Sequence, residues 1–318
     1  MIRVVRHPGP ASNHPRGAVL ALGNFDGVHR GHAVLIGKAI ECARAERRPA
    51  AVLTFEPHPR SVFLPGSEPF RLTPFRVKER EIARLGVDLL FVQHFDRAFA
   101  MKSAGEFVAE MVAGAVGASH VVCGYDCTFG NRRSGNPEVL RALGVEHGFG
   151  VTVIEPVRGA DATLYSSTVI RELLKAGKPR EAAALLGRAW EIDGRVMLGD
   201  RRGRTIGFPT ANLELDDYLR PAFGVYAVRV SGDGPDDPFA GATLGGVANL
   251  GLRPTVGGVE PRLEAHLFDT ELDLYGRHLR VALIDYIRPE QKFPGLDALK
   301  AQIAADADRA RAILARTD

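Results

Sequence analysis

Cysteine is scarce in this chain: Cys42, Cys123 and Cys127 are all there is in 318 residues. Three thiols cannot build a disulfide framework. Cys123 and Cys127 lie four apart with no second pair, which excludes a structural zinc site of the usual kind. Long apolar runs are missing as well. None approaches the roughly 18 residues that a membrane span needs. The opening MIRVVRHPGPASNHPRG is polar and proline-rich and does not read as a secretion signal. A reduced, cytoplasmic, non-membrane protein is expected. Charge of one sign is also lacking, with 41 Lys and Arg against 38 Asp and Glu. So balanced a chain has no electrostatic footprint for nucleic acid.

What is present is ordinary globular material, 45% hydrophobic and 25% charged, in a length that suits two domains. The first half alternates apolar runs with helical patterns. AVLALG (18–23) precedes HAVLIGKAIECARAERR (32–48), and AAVLTF (50–55) follows. VKEREIARLG (77–86) leads into VDLLFVQHF (87–95), AGEFVAEMVAGAVG (104–117) into SHVVCGY (119–125), and NPEVLRALGVEHG (136–148) into FGVTVIEPV (149–157). The apolar runs lack polar alternation, as strands covered on both faces do. Repeated strand–helix–strand units predict a doubly wound parallel sheet.

Near residue 165 the pattern changes. STVIRELLKAGKPREAAALLGRAW (167–190) reads as two helices broken at Gly177-Lys178-Pro179. Five β-type runs follow, at 191–198, 224–231, 242–251, 262–269 and 279–287, separated by Gly, Pro and Asp turns. An antiparallel barrel or sandwich is expected there. In the closing stretch 296–315, Leu299, Ile303, Ala307 and Ala310 recur at helical spacing, so this helix should pack on the β domain. The fold class is α/β plus mainly β, with domains at 1–186 and 187–318.

The loop after the first run is Gly23-Asn24-Phe25-Asp26-Gly27, followed by His29 and His32. It is neither G-x-G-x-x-G nor a Walker A loop. In open α/β sheets such a first turn meets phosphates, helped by glycine backbone and the N-terminal N–H groups of the next helix. Two imidazoles three apart share a helix face. They can donate to phosphate oxygens and stabilise charge that develops in nucleotidyl transfer. Capping and metal ligation are the other uses open to such a pair.

GRVMLGDRRGRTIGFPTANL (194–213) carries Gly199, Gly203 and Gly207 in a basic loop that fails as a P-loop. Thr210 and Asn212 then offer neutral oxygens two apart. These suit Mg²⁺ shared with phosphates, or a rigid turn with an Asx hydrogen bond. In RLEAHLFD (262–269), strand alternation puts Leu263, Ala265 and Leu267 on one face and Glu264 on the other. There Glu264 can accept a hydroxyl proton or simply meet solvent.

GNFDGVHRGH resembles the signature of the nucleotidyltransferase superfamily, and YSSTVIR (165–171) resembles its second motif. TFEPHPR (54–60) and GYDCTFGNRRSGN (124–136) resemble the flavin-specific branch, the bacterial bifunctional riboflavin kinase/FAD synthetases. GRTIGFPTANL, GVYAV, GVANLGLRPTVGG, LEAHLFD, LDLYG and QKFPGLDALKAQI resemble the riboflavin kinase module in unbroken order. The likeness spans about residues 15–305.

It implies FMN adenylyltransferase activity in 1–186 and riboflavin kinase activity in 187–318, the latter on a six-stranded barrel with a terminal helix. Riboflavin, FMN and ATP would be the small-molecule substrates, with FAD and pyrophosphate released. In the first head, Gly23, Asn24, Phe25, Asp26, His29, His32, Ser166, Ser167, Thr168 and Arg171 would bind ATP. His29 and His32 would act in catalysis, and His58, Pro59 and Asp126 would bind FMN. In the second head, Gly199, Gly203, Gly207, Thr210 and Asn212 would hold Mg–ATP, and Glu264 would be the general base. Cys127 departs from the pattern, since the family more often has Phe there. Two rival readings stand beside this one: a chain with one inactive head, and a flavin carrier without turnover. Oligomeric state is not legible in the sequence.

Overall fold

The computed structural model describes residues 2–9, 12–159, 162–198, 208–233, 237, 239, 241–255, 258–270 and 272–317. The chain divides into two compact units. The first comprises Met1–Glu68 and Thr73–Ser166, and the second Pro69–Leu72 and Ser167–Asp318.

The first unit is built on a six-stranded parallel sheet. Its strands are β1 (Arg3–Arg6), β2 (Val19–Leu22), β3 (Ala50–Glu56), β4 (Leu89–His94), β5 (His120–Gly124) and β6 (Gly150–Ile154), in the order β1-β4-β3-β2-β5-β6. The unbroken apolar runs are explained by burial on both faces. Along β2, Leu20 and Leu22 meet one core with Phe107, Met111, Val112 and Leu140. Val19 and Ala21 meet the other core with Leu35, Ile36, Ile40 and Ile82. Burial of each large side chain stabilises the fold by about 1.5–3 kcal/mol.

The second face is covered by α1 (Arg30–Glu46) and α3 (Phe75–Arg84). In α1, Leu35, Ile36, Ala39, Ile40 and Ala43 form its buried stripe. Short α2 (Pro59–Phe63) lies between them in sequence, and short α4 (Arg97–Ala100) follows β4. The first face is covered by α6 (Pro137–His147) and by the stretch expected as one helix over 104–117. That stretch begins as an α turn, α5 (Ala104–Glu106), capped by Ser103 and Glu106, and widens into a π-helix, Phe107–Val116. Propensity does not distinguish these two windings, so this difference was invisible in sequence. Strand β1 was also unforeseen. Its four residues RVVR have exposed arginines at both ends, and it pairs only with β4 at the sheet edge.

The second unit opens with α7 (Ser167–Lys175) and α8 (Pro179–Leu186), broken at Gly177 as the sequence predicts. Six antiparallel strands follow: β7 (Trp190–Arg195), β8 (Ala211–Glu214), β9 (Gly224–Gly232), β10 (Thr243–Thr255), β11 (Gly258–Leu267) and β12 (His278–Arg288). Their order is β7-β12-β9-β10-β11-β8. Met197, just past β7, bridges Asn212 on β8, its N–H donating to the Asn212 carbonyl at 2.9 Å, so the sheet nearly closes into a barrel. The interior is apolar: Ile192, Leu213, Val228, Val230, Leu250, Leu263, Leu279, Val281 and Leu283 are fully buried. Strand β8 was not expected, because PTANL reads as a turn until a partner strand extends it.

The terminal helix α9 (Leu296–Leu314) lays Ala307, Ala310, Ile313 and Leu314 on the outer side of the barrel against Val225, Ala227, Val247 and Phe268. Arg288 fastens it by a bidentate pair with buried Asp306, at 2.7–3.0 Å. The segment Pro69–Leu72 is held in this unit by Trp190, whose indole N–H donates to the Leu72 carbonyl at 2.8 Å.

Candidate active sites

The chain leaves β2 for β3 in one direction and β5 for β6 in the other, so β2 and β5 flank the switch point of the parallel sheet. Ligands of open α/β sheets lie in the crevice beyond the carboxyl ends of the strands there. The Gly23–Gly27 loop leaves the carboxyl end of β2, and the Tyr125–Asp126 loop leaves that of β5.

The β2 loop is tightly wound, with Phe25, Gly27 and Val28 all at positive φ (51°, 90° and 42°). Such backbone persists only where the surroundings hold it. Asp26, 3% exposed, accepts from the Thr73 N–H at 3.0 Å and from the Thr73 hydroxyl at 3.4 Å. That hydroxyl in turn accepts from the Gly27 N–H at 2.8 Å. The Thr54 hydroxyl donates to the Asn24 carbonyl at 3.0 Å, and the fully buried ammonium of Lys78 reaches Thr54 and, at 2.9 Å, Glu56. Phe25 is buried, with its ring edge-on to His32. The Asp26 and Phe25 side chains thus shape the loop.

The two histidines end up together at the start of α1. Their rings stack at 3.6 Å, 18° from parallel. His29 is the N-cap, and its Nδ1 accepts from the His32 N–H at 3.3 Å. An Nδ1 that accepts carries no proton, so the proton of a neutral His29 is on Nε2, a donor. A Cβ at Gly31 would stand 3.2 Å from the His29 ring and 3.2 Å from Tyr165 Cβ. Glycine is therefore what lets the ring and the Tyr165-Ser166 segment close on the helix start. Ser166 ends the first unit; Ser167, Thr168 and Arg171 begin α7 in the second. Arg171 Nε donates to the Phe70 carbonyl at 2.8 Å.

Beyond β3, His58 caps α2 by accepting from the Arg60 N–H at 3.1 Å, with Pro59 as the first helical residue. Asp126 is exposed just past β5, its carboxylate over Gly124. The same unit holds a group that the sequence does not announce. Phe55, Phe63, Phe95, Phe99, Phe107 and Phe129 form an unbroken chain of ring contacts at 5.4–6.3 Å, and Phe63 is 60% exposed. Scattered over 75 positions of sequence, they carry no shared motif. Cys127 packs at the margin of the same core, where its thiol and that of Cys123 share a hydrogen bond. That bond holds Cys123 below the usual thiol range and pushes Cys127 well above it, with burial adding to the rise.

In the second unit, Glu264 on β11 stands in register with Asn212 on β8 and with Asn249 on β10. Leu263, Ala265 and Leu267 fill the interior, so this amide–carboxylate–amide row lies on the outer face, as alternation predicted for Glu264. Asn249 was not singled out from sequence, because only strand pairing brings it beside Glu264. The Asn212 amide nitrogen donates to the Thr210 carbonyl at 3.4 Å. The preceding turn is steadied by His266 Nδ1 on the Pro209 carbonyl at 2.9 Å. Next to Thr210 opens a cavity of about 350 Å³, lined also by Val196, Ala211, Leu267, Leu272, Leu274 and Tyr275. Gly199, Gly203 and Gly207 lie outside the described residues.

A parallel-sheet unit and a barrel unit, each with candidate residues for phosphates, define the class of two-module transferases. Comparison with known proteins gives the family. A profile for FAD synthetase matches residues 11–169, and one for riboflavin kinase matches residues 186–314. The bifunctional riboflavin kinase/FMN adenylyltransferase of Escherichia coli K12 is 44% identical over 295 residues, 93% of this chain and 92% of the relative. The protein of that name from Bacillus subtilis is 37% identical, over 92% of this chain and 91% of its own. A Streptococcus pneumoniae crystal structure described as a macrolide-efflux protein superposes with a TM-score of 0.84 at 34% identity, covering 97% of this chain and 98% of that one. Among the described residues no helix is long and apolar enough to cross a membrane. This chain belongs to the bifunctional riboflavin kinase/FMN adenylyltransferase family.

Proposed function

We propose that the chain converts riboflavin to FAD in two steps, each at its own site. At the barrel, Glu264 accepts the proton of the ribityl 5′-hydroxyl as that oxygen attacks the γ-phosphorus of ATP, giving FMN and ADP. Phosphoryl transfer needs little covalent chemistry from the protein beyond positioning and charge stabilisation. Thr210 and Asn212 are the residues for Mg²⁺: a hydroxyl and an amide oxygen are hard neutral donors beside a cavity of nucleotide size. When bound, that ion neutralises charge between the phosphates. Gly199, Gly203 and Gly207 belong to the loop assigned to covering them.

At the switch point, a phosphate oxygen of FMN attacks the α-phosphorus of a second ATP. The bond to the β,γ-phosphates breaks, and pyrophosphate leaves. FMN brings the nucleophile, so no side chain forms a covalent intermediate. His29 donates from Nε2 to the triphosphate, with His32 stacked behind it, while Gly23–Asp26 supply the loop. The likeness of YSSTVIR to the second motif assigns Ser166, Ser167, Thr168 and Arg171 to the phosphates of ATP, with donors suited to oxyanions. The isoalloxazine ring lies on the phenylalanine group, with His58, Pro59 and Asp126 at its edge. Aromatic faces of this kind favour flat, electron-poor rings. ATP supply fits a cytoplasmic location, and the functional boundary falls at 186/187.

The observation that most supports this reading is the stacked His29–His32 pair at a helix start on the switch point, in one chain with the Asn212–Glu264 row. The test is a time course of purified protein with riboflavin, ATP and Mg²⁺. FMN should appear first, then FAD with pyrophosphate. FMN alone would leave one inactive head, and bound riboflavin without turnover would favour a carrier.

A further inference from the structure

The outer row of the barrel has a direction. Asn212 stands on one side of Glu264, at the turn that carries Thr210 and its cavity, and Asn249 stands on the other. In an in-line transfer the attacking alcohol and the leaving oxygen lie on opposite sides of the phosphorus, and the proton acceptor stands beside the attacking alcohol. If Asn212 marks the phosphate side, Asn249 marks the alcohol side. Directly paired residues of an antiparallel ladder have Cβ atoms about 4.5–5.5 Å apart, so a hydroxyl chain lying past Glu264 comes within reach of the Asn249 amide.

Asn249 is also held in place from behind. Its Nδ2 donates to Glu290 Oε1 at 3.2 Å. Glu290 lies flat over β10 because residue 251 is glycine. A Cβ there would stand 2.0 Å from the same carboxylate oxygen. The carboxylate fixes which end of the amide faces it. The Asn249 carbonyl oxygen is turned away as an acceptor, and one N–H is left as a donor. A polyol needs both, since each hydroxyl donates once and accepts.

We propose that Asn249 binds a hydroxyl of the ribityl chain inboard of the reacting 5′-hydroxyl, and that Glu290 is the positioning residue that orients its amide. The inference rests on the kinase reading of Glu264 and extends it to acceptor recognition. Kinase assays on the full chain test it, with riboflavin and ATP varied separately and adenylylation of supplied FMN as the internal control of folding. N249A should raise KM for riboflavin roughly tenfold, the size of one lost hydrogen bond in a binding site. KM for ATP should stay constant. E290Q should raise KM for riboflavin a few-fold alone and add nothing in the N249A background, which a purely structural role would not produce. Should N249A fail to fold, E290Q and N249S carry the same comparison. Unchanged KM for riboflavin in these variants, or an equal rise in KM for ATP, overturns the inference. E264Q separates the two levels: if it still makes FMN, the kinase reading falls; if it is inactive while N249A binds riboflavin normally, only this inference falls.

Discussion

The two sites proposed to handle similar phosphates are made of opposite materials. In the parallel sheet, the site is backbone: a loop forced through three positive-φ residues, pinned by Thr73, Thr54 and Lys78, and finished by two histidines on a helix start. In the barrel, the site is side chains standing on straight strands, and its geometry comes from register alone. The reason lies in the sheets. Both faces of a doubly wound sheet are buried, so only strand ends reach a ligand, whereas a barrel leaves its outer face available.

That contrast can be broken by chemistry first. H29A should lower FAD formation by about 10²–10³-fold, the scale of one preorganised donor to a developing anion. E264Q should lower FMN formation by about 10²–10⁴-fold, the scale of one general base. Each should spare the other head, which separate assays of riboflavin phosphorylation and FMN adenylylation would reveal. Loss of both activities in H29A would instead indicate a folding defect.

The loop site depends on buried support more than the barrel site does. Lys78 is fully buried and its partner Glu56 is 14% exposed in its side chain. K78M leaves that carboxylate uncompensated and should cost about 3–5 kcal/mol, lowering the denaturation midpoint of the first unit. Thermal unfolding followed together with FAD formation checks it; an unchanged midpoint would show that Glu56 is solvated instead.

The smallest effect serves as a control. Asn136 caps α6 by accepting from the N–H groups of Glu138 and Val139 at 3.0 and 2.9 Å. N136A should cost about 1 kcal/mol, visible as a small shift in urea midpoint, with both activities intact. A selective loss of either activity there would mean that helix caps remote from the sites tune them, and that the contrast drawn between loop and register is too sharp.

Much of the fold is legible in the sequence alone. Runs such as AVLALG and AAVLTF determined a two-sided parallel sheet, because a strand without polar positions has no face to give to water. The alternation in RLEAHLFD determined that Glu264 leaves the barrel interior, because side chains on a strand point alternately to its two faces. The break at Gly177-Lys178-Pro179 determined two helices, since proline has no N–H to continue the first. These are local facts, and local sequence carries them.

Tertiary structure decided the rest. The short strand RVVR becomes β1 only because β4 offers it an edge, and ANLE becomes β8 only against β11. The wider winding of Phe107–Val116 is not written in any propensity. Six phenylalanines spread from position 55 to 129 become one chain of ring contacts, and Asn249 comes to Glu264 from fifteen residues away. Partners distant in sequence are chosen by packing and register, which act only once the chain has folded, so no single stretch of residues could announce them.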